Sequence, residues 1–411
     1  MDRHKRKTLK QLAATAVVPA IPPAAAGSAA YHDEPGTARR IATYNPVWTS
    51  PSDNAGASMP CGAGDIGLNV WVEGDDILFY IARSGAFDET NSYLKLGRVR
   101  LRLDPSPFAS GKPFRQELRL LDGEIEISCN GVSVTIWADA EAPVVHVACE
   151  SAAPVSLTAT FESWRTADRD YLPTEMSMHR SYDGAPVTPR QYADATGFAD
   201  GGVVSLHRNR DEGTVFDLLV EQQGMGAVRD QLWNPLSGLT FGTSMRGDGL
   251  VPAGQTNGRY ASTDFTGWTL ASAKPQRTHA LRLYCHVAQA ATREDWLVGL
   301  RRLAAADVGA AASRARSRRW WRAFWSRSYI MIEPGPPGRT ASHGGSGATT
   351  SFSATSSAPT PAAAGRPSST AAISPSIPNS PIPACACRPI IAPGAAANSP
   401  HRINGWFIGR C

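Results

Sequence analysis

The sequence is poor in charge and lacks several familiar signatures. Only 19% of its 411 residues are Asp, Glu, Lys or Arg, below the usual quarter. No apolar run reaches the ~18 residues that a membrane-spanning helix needs, which excludes an integral helical membrane protein. No Cys-x-x-Cys pair occurs, so a zinc ribbon is not expected. The Gly-x-Ser-x-Gly elbow of serine hydrolases is missing too. Residues 334–411 hold five Arg but no Lys, Asp or Glu. Residues 1–333 therefore contain 36 basic and 36 acidic residues, and the net charge of +5 comes from the C-terminal end alone. The basic balance therefore says nothing about a binding face, and no nucleic-acid partner is expected.

What is present begins with a targeting pattern over residues 1–30. Arg3, Lys5, Arg6, Lys7 and Lys10 precede the apolar stretch Leu12–Ile21, and small residues follow at Ala24–Ala30. This is the layout of an export signal, with a degraded twin-arginine motif at Lys5-Arg6-Lys7. Export predicts a periplasmic or extracellular protein in an oxidising compartment. The body carries Cys61, Cys129, Cys149 and Cys285. Four cysteines allow three pairings, and their irregular spacing suits buried thiols equally well.

Residues 40–290 read as strands. Ile77–Ile81 is a short apolar run. Arg98–Leu103 alternates Arg with aliphatic residues, the pattern of a half-buried antiparallel strand. Asp122-Gly123 and Asn130-Gly131 each stand between alternating runs, a strong hairpin signal. Val144–Cys149, Val155–Phe161, Val215–Glu221, Leu239–Thr243 and Leu281–Val287 continue the series. Many short strands without alternating helices predict a mainly β fold, a large antiparallel two-sheet β-sandwich.

The period changes at Thr292. Trp296, Leu297, Leu300, Leu303 and Ala304 have helical spacing, with Glu294 and Asp295 in the first turn. A second helical stretch ends in Trp320, Trp321, Phe324 and Trp325. Residues 291–330 thus read as a helical linker into a second domain, with a cap over the sandwich as the alternative. Without such a domain the aromatic face is expected to expose apolar surface and drive self-association. Residues 334–411 read as a disordered tail: Ala, Pro, Ser and Gly supply 49 of the 78. The same composition is what GC-rich DNA yields out of frame. Taking the last base of each codon with the first two of the next, Ala364–Ala372 permit Trp-Pro-Thr-Lys-Phe-Asn-Gly-Gly.

Candidate site residues are few. Gly62-x-Gly64-x-x-Gly67 has dinucleotide-fingerprint spacing but lacks the flanking strand and helix that the mechanism requires. Asp65 in that segment reads as turn chemistry. Asp88 and Glu89 read as a solvated loop. Glu162 precedes Trp164-Arg165, which suits sugar stacking or packing at a strand end. His146, His207 and His286 lie in strand contexts and read as hydrogen-bonded packing residues. No metal or cofactor is predicted.

Three segments carry a family resemblance: Val47–Ser52, Ser58-Met59-Pro60-Cys61-Gly62-Ala63-Gly64-Asp65-Ile66-Gly67, and Leu94–Arg100. With Phe114–Leu118, Glu162–Arg165, His207–Asn209 and Trp320–Ser328, they resemble the N-terminal domain of the domain-of-unknown-function 5703 proteins. Those are relatives of the six-hairpin glycosidases, the group of the family 95 α-L-fucosidases. Cys61 and Ala63 depart from the Leu and Asn of that group's recurring loop. The resemblance covers about residues 40–335. It implies a β-sandwich and a helical linker, followed in the family by an (α/α)6 barrel that supplies the catalytic carboxylates. The barrel bears a Lys-Phe-Asn-Gly-Gly-like segment, which the shifted frame permits. The expectation is a frameshifted or truncated member, inactive alone, with no catalytic residue of its own. In an intact relative Met59, Asp65, Asp88, Trp164 and Arg165 are expected to border a sugar pocket facing the barrel, and carbohydrate is the implied partner. A carbohydrate-binding or interaction sandwich is the alternative. An active site inside the sandwich would need two carboxyl groups facing each other across a cleft.

Overall fold

The turn chemistry read from the sequence sets the hairpins. Asn130 and Gly131 both adopt positive φ, at 47° and 76°, so Cys129 pairs directly with Val132 in the primed-turn geometry that fits strand twist. The computed structural model describes residues 36–330, apart from 109–110, 177–178, 180–181, 183–184 and 186–187. The expected export signal and disordered tail lie outside these residues.

In chain order the elements are α1 (Thr37–Ala42), β1 (Val47–Trp48), β2 (Met59–Ala63), β3 (Ile66–Glu73), β4 (Asp76–Phe87), β5 (Tyr93–Asp104), β6 (Phe114–Arg119) and β7 (Glu124–Cys129). Then come β8 (Val132–Ala138), β9 (Val144–Ser163), β10 (Arg169–Asp170), α2 (Pro173–Met176), β11 (Arg190–Gln191), β12 (Ala195–Ala199), β13 (Gly202–Arg208) and α3 (Val215–Gln222). The chain continues through β14 (Leu239–Gly247), β15 (Leu250–Tyr260), β16 (Thr263–Ser272), β17 (Gln276–Gln289), α4 (Arg293–Ala305) and α5 (Ala310–Trp325).

Two antiparallel sheets share one strand. The first runs β1-β6-β7-β8-β9-β17-β14-β13-β12, and the second runs β2-β3-β4-β5-β9-β16-β15. The first half of β9 pairs with β8 and β17, and the second half with β5 and β16. The sequence suggested two strands here, separated around Pro154. They are one, and Pro154 sits where β9 passes between the sheets and needs no ladder donor. Leu68, Val70, Phe79, Val99 and Phe161 of the second sheet and Ile125, Ile136, Val145, Phe241 and Leu283 of the first belong to one buried apolar cluster.

Two expectations need correction. Val215–Glu221 is not a strand but α3. An apolar run of this length suits either state, and Asp217 decides it by accepting hydrogen bonds from Thr214 N and Oγ1 at 3.3 and 3.0 Å, as at a capped helix start. Secondly, the Arg face of β5 is not uniformly solvated. Arg102 is exposed, Arg100 half-buried and Arg98 fully buried, because Tyr260 and Phe265 of the β15–β16 hairpin cover it.

The aromatic helix of the expected linker packs against the sandwich. Ser313, Ser317, Trp321 and Trp325 recur every four residues on α5 and are all buried. Trp137 Nε1 donates to Ser313 Oγ at 3.2 Å, and Trp325 Nε1 donates to the Leu120 carbonyl at 2.6 Å. Arg314 and Arg318 both engage the buried Glu124, and Arg316 engages the buried Asp139. The helix therefore caps the sandwich, and its two most buried indoles are not available to drive self-association. Gly123 makes this seat possible: at φ +65° it lies against the Trp321 ring, where a Cβ would overlap the indole. Gly123→Ala is expected to cost about 2–4 kcal/mol, from left-handed strain plus overpacking. Urea unfolding measures it, and a loss below about 0.5 kcal/mol would show that α5 does not rest on this turn.

All four described cysteines are buried and free. Burial pushes the thiols of Cys61, Cys149 and Cys285 up to about 12, so they are inert packing residues. No helix among the described residues is long and apolar enough to cross a membrane.

Candidate functional site

The ends of β4, β9 and β13 bring a set of charges together. Asp88 and Glu89 follow β4, Arg165 lies just past β9, Asp194 precedes β12, and His207 is near the end of β13. Each of the five is buried. Arg165 holds Asp194 through both ends of its fork, Nε to Oδ1 at 2.8 Å and Nη2 to Oδ2 at 2.7 Å. His207 lies between Asp194, at 3.1 Å from Nδ1, and Glu89, at 3.3 Å from Nε2. Its ring stacks on Phe241 with centroids 5.0 Å apart.

Local backbone fixes the geometry. Glu89 accepts from Arg210 N at 3.0 Å through its side chain and from Val215 N at 2.8 Å through its carbonyl. Asn209 Nδ2 donates to the Phe87 carbonyl at 2.9 Å. Asp88 turns the other way. It accepts from the Tyr171 hydroxyl at 2.6 Å, from Thr90 N and Oγ1 at 2.9 and 2.7 Å, and from Ser92 N at 2.8 Å. Tyr171 comes from the β10–β11 excursion, where its ring meets His179 at 4.2 Å.

The charges balance. Burial opposes an imidazolium at His207, but hydrogen bonds and attraction from Asp194 and Glu89 outweigh it and raise the group to about 9. Burial likewise opposes the Asp194 carboxylate, and Arg165 with His207 holds it below its ordinary range. At neutral pH two cations therefore face two anions. An imidazolium with both N–H groups committed cannot accept a proton, so this is not a general base. Within this cluster, Arg165 Nη1 and Asn209 Oδ1 are buried without a hydrogen-bond partner among the described residues.

The sequence-derived residues divide. Asp88 and Arg165 belong to this cluster, and Asp88 and Glu89 are buried rather than solvated. They look exposed in sequence because the burying partners come from β13 and the β10–β11 excursion. Trp164 adjoins the cluster but is buried edge-on against Tyr80, at 5.9 Å, so its face is not open for stacking. Met59 is fully buried in the core. Asp65 occupies the two-residue Gly64-Asp65 turn between β2 and β3 and pairs with Arg83 at 2.9 Å. Glu162 is buried between Arg98 and Arg100. His207, expected as a hydrogen-bonded packing residue, is the centre of the network, and Asp194 had no sequence signal at all. His146 and His286 make no such contacts, and burial pulls both down to about 4. Among the described residues no three His, Cys, Asp or Glu side chains converge on a metal position.

A family model described as Domain of unknown function (DUF5703), N-terminal part, matches residues 47–330. The chain belongs to the DUF5703 family. The match spans the sandwich, α4 and α5, so the buried cluster lies within this DUF5703 domain. No curated protein matches the chain. Among solved structures, a human-microbiome protein assigned as a kojibiose phosphorylase is similar over 76% of this chain and 41% of its own, at 10% identity and TM-score 0.37. A bacterial glucoamylase in complex with acarbose is similar over 68% and 38%, at 7% identity and TM-score 0.29. The DUF5703 chain thus spans about two-fifths of the length of these structures.

Proposed function

We propose that this chain is the N-terminal sandwich of an exported, glycoside hydrolase-like protein acting on carbohydrate, and that alone it hydrolyses nothing. One observation carries the second half. Each loop carboxylate singled out here is consumed in a structural pairing: Glu89 by His207, Asp194 by Arg165 and His207, Asp88 by Tyr171, Glu162 by two arginines and Asp65 by Arg83. Glycoside hydrolysis needs an acid and a base or nucleophile on opposite sides of an open gap. None of these pairs lines one. The buried cluster instead joins three strand ends and the β10–β11 excursion into a rigid end of the sandwich.

The carboxylates of the reaction are then assigned to an (α/α)6 barrel encoded after residue 330 in the shifted frame. Sequencing the source DNA from the codon of Tyr329 onward tests this. The expected result is a single-base gain or loss near Pro334–Arg339, with barrel sequence continuing in the restored frame. A confirmed frame with no barrel in any frame would remove the enzyme reading.

Trp233 favours a second reading, carbohydrate binding by the sandwich itself. Its side chain is 63% exposed, unusual for an indole. Its Nε1 donates to Gln289 Oε1 at 3.0 Å, and Gln289 Nε2 donates to the carbonyls of Asn234 and Ser237. A braced, exposed indole is a ready stacking platform.

A further inference from the structure

The two sheets end on edge strands, and one of these is long and bare. β1 and β12 close the first sheet with two and five residues. β2, five residues long and mostly buried, closes one side of the second. β15 closes the other side over eleven residues, and Val251–Asn257 are all exposed. Among the described residues β15 pairs with β16 alone. An open edge is normally blunted by charge, yet Leu250–Gly258 carry no Asp, Glu, Lys or Arg.

The hairpin register fixes which backbone groups point outward. Tyr260 pairs with Thr263 across the two-residue turn Ala261-Ser262. In such a hairpin the closing pair exchanges hydrogen bonds, and so does every second pair from it. Tyr260, Gly258 and Thr256 therefore bond to β16, while Arg259, Asn257 and Gln255 turn N–H and C=O away from it. The Asn257 carbonyl meets Thr256 Oγ1 only at a long 3.5 Å. At the far end the ladder breaks. The register shifts between Pro252 and Gly254, and Pro252 has no N–H to give.

We propose that β15 is the interface with a second copy of this chain, the two strands pairing antiparallel about a two-fold axis at Asn257. A second copy presents the same free ladder at the same spacing, so the contact is self-complementary. Asn257 then faces its own copy and Gln255 faces Arg259, and these pairs exchange about six backbone hydrogen bonds. The Gln255 amide oxygen is placed to accept from the opposing Arg259 guanidinium. That side chain is 63% exposed, and its ion pair is with an equally exposed Asp264 at 3.4 Å. The neighbouring registers fail. Centred on Arg259, the pairing sets like charges face to face. Centred on Gln255, it runs into the break at Pro252. A slip of one residue sets outward-pointing groups against inward-pointing ones.

Sedimentation equilibrium of the full chain, from about 1 to 200 µM, tests the pairing. Reductant is present so that Cys385, Cys387 and Cys411 link no chains. The expected result is a mass that rises to twice the monomer and no further. Asn257→Lys, at an exposed position, should keep the circular dichroism of the parent and weaken dimerisation about ten-fold or more, because two ammonium groups meet at the axis. Asn257→Asp should do the same by itself. Mixing the two variants should restore a dimer, since opposite charges then face each other. A chain that stays monomeric throughout, which would leave the edge to some other strand, overturns the proposal. So does a dimer that survives both variants, a mixture that stays monomeric, or growth beyond the dimer.

Discussion

Arg165→Met lowers the stability of the chain by about 3–5 kcal/mol, the cost of removing one partner from a buried ion pair. The side chain is 2% exposed and gives two parallel hydrogen bonds to Asp194, itself 1% exposed. Its loss leaves a buried carboxylate with His207 as its remaining cation and the Ser163 hydroxyl, at 3.2 Å, as a neutral donor. Asp194→Asn should be costly as well, because Arg165 then keeps a buried charge without a counter-ion. The double variant Arg165→Met/Asp194→Asn should cost clearly less than the sum, with a coupling of about 1–3 kcal/mol. Urea unfolding of the four proteins measures this directly. Additive losses would mean that the two residues act on stability separately and that the cluster is not one network.

Acid is expected to destabilise this protein above the carboxylate range. His146 and His286 are both held near 4 in the folded chain, against about 6.5 when unfolded. The unfolded state therefore binds more protons below pH 6.5, and stability present above that pH drains away between 6.5 and 4. For His146 the full effect is about 3 kcal/mol. It is less for His286, which keeps some contact with water. His207 adds no slope in this window, since it is protonated in both states. Its contribution is complete below about 6.5 and is lost as pH rises through about 9. Lys95 works in the opposite sense there. Its folded value of about 7 means that stability is regained as pH rises from 7 toward the ordinary lysine value. A steep acid arm and a shallow alkaline arm are expected in urea midpoints measured against pH. His146 stacks on Trp137 at 4.9 Å with both ring nitrogens unpartnered. Phe at this position keeps the stack without the orphan nitrogens, so His146→Phe should remove about half of the acid slope and cost no stability at pH 7. An unchanged slope would place the acid sensitivity elsewhere.

The hairpins were legible because two-residue turns such as Asn130-Gly131 dictate pairing locally. The capped start of α4 was legible for the same reason, with Thr292 Oγ1 accepting from Asp295 N at 3.1 Å. The unity of β9 was not legible, since a proline between two apolar runs ordinarily separates strands, and only the shared sheets make it tolerable. α3 was misread because an apolar run of its length has no decisive period. The cluster lay beyond sequence reasoning for a different reason. Glu89 and His207 are 118 positions apart, and Asp194 carries no motif. Its existence follows from strand order, which brings the ends of β4, β9 and β13 together. Arg165 was reachable because it ends a family-like segment at a strand end, and Asp88 because it follows the Ile77–Ile81 strand. Met59 opens a strand whose alternate residues, Met59, Cys61 and Ala63, all belong to the core.

The central claim is that the sandwich holds its carboxylates for architecture and not for chemistry. Incubating the purified chain with a panel of aryl glycosides, across the pH range in which it stays folded, tests this most directly. The account predicts no sugar release above that of buffer alone. Saturable release that disappears in Glu89→Gln, with the variant still folded, would contradict it and move the active site into the cluster at the strand ends.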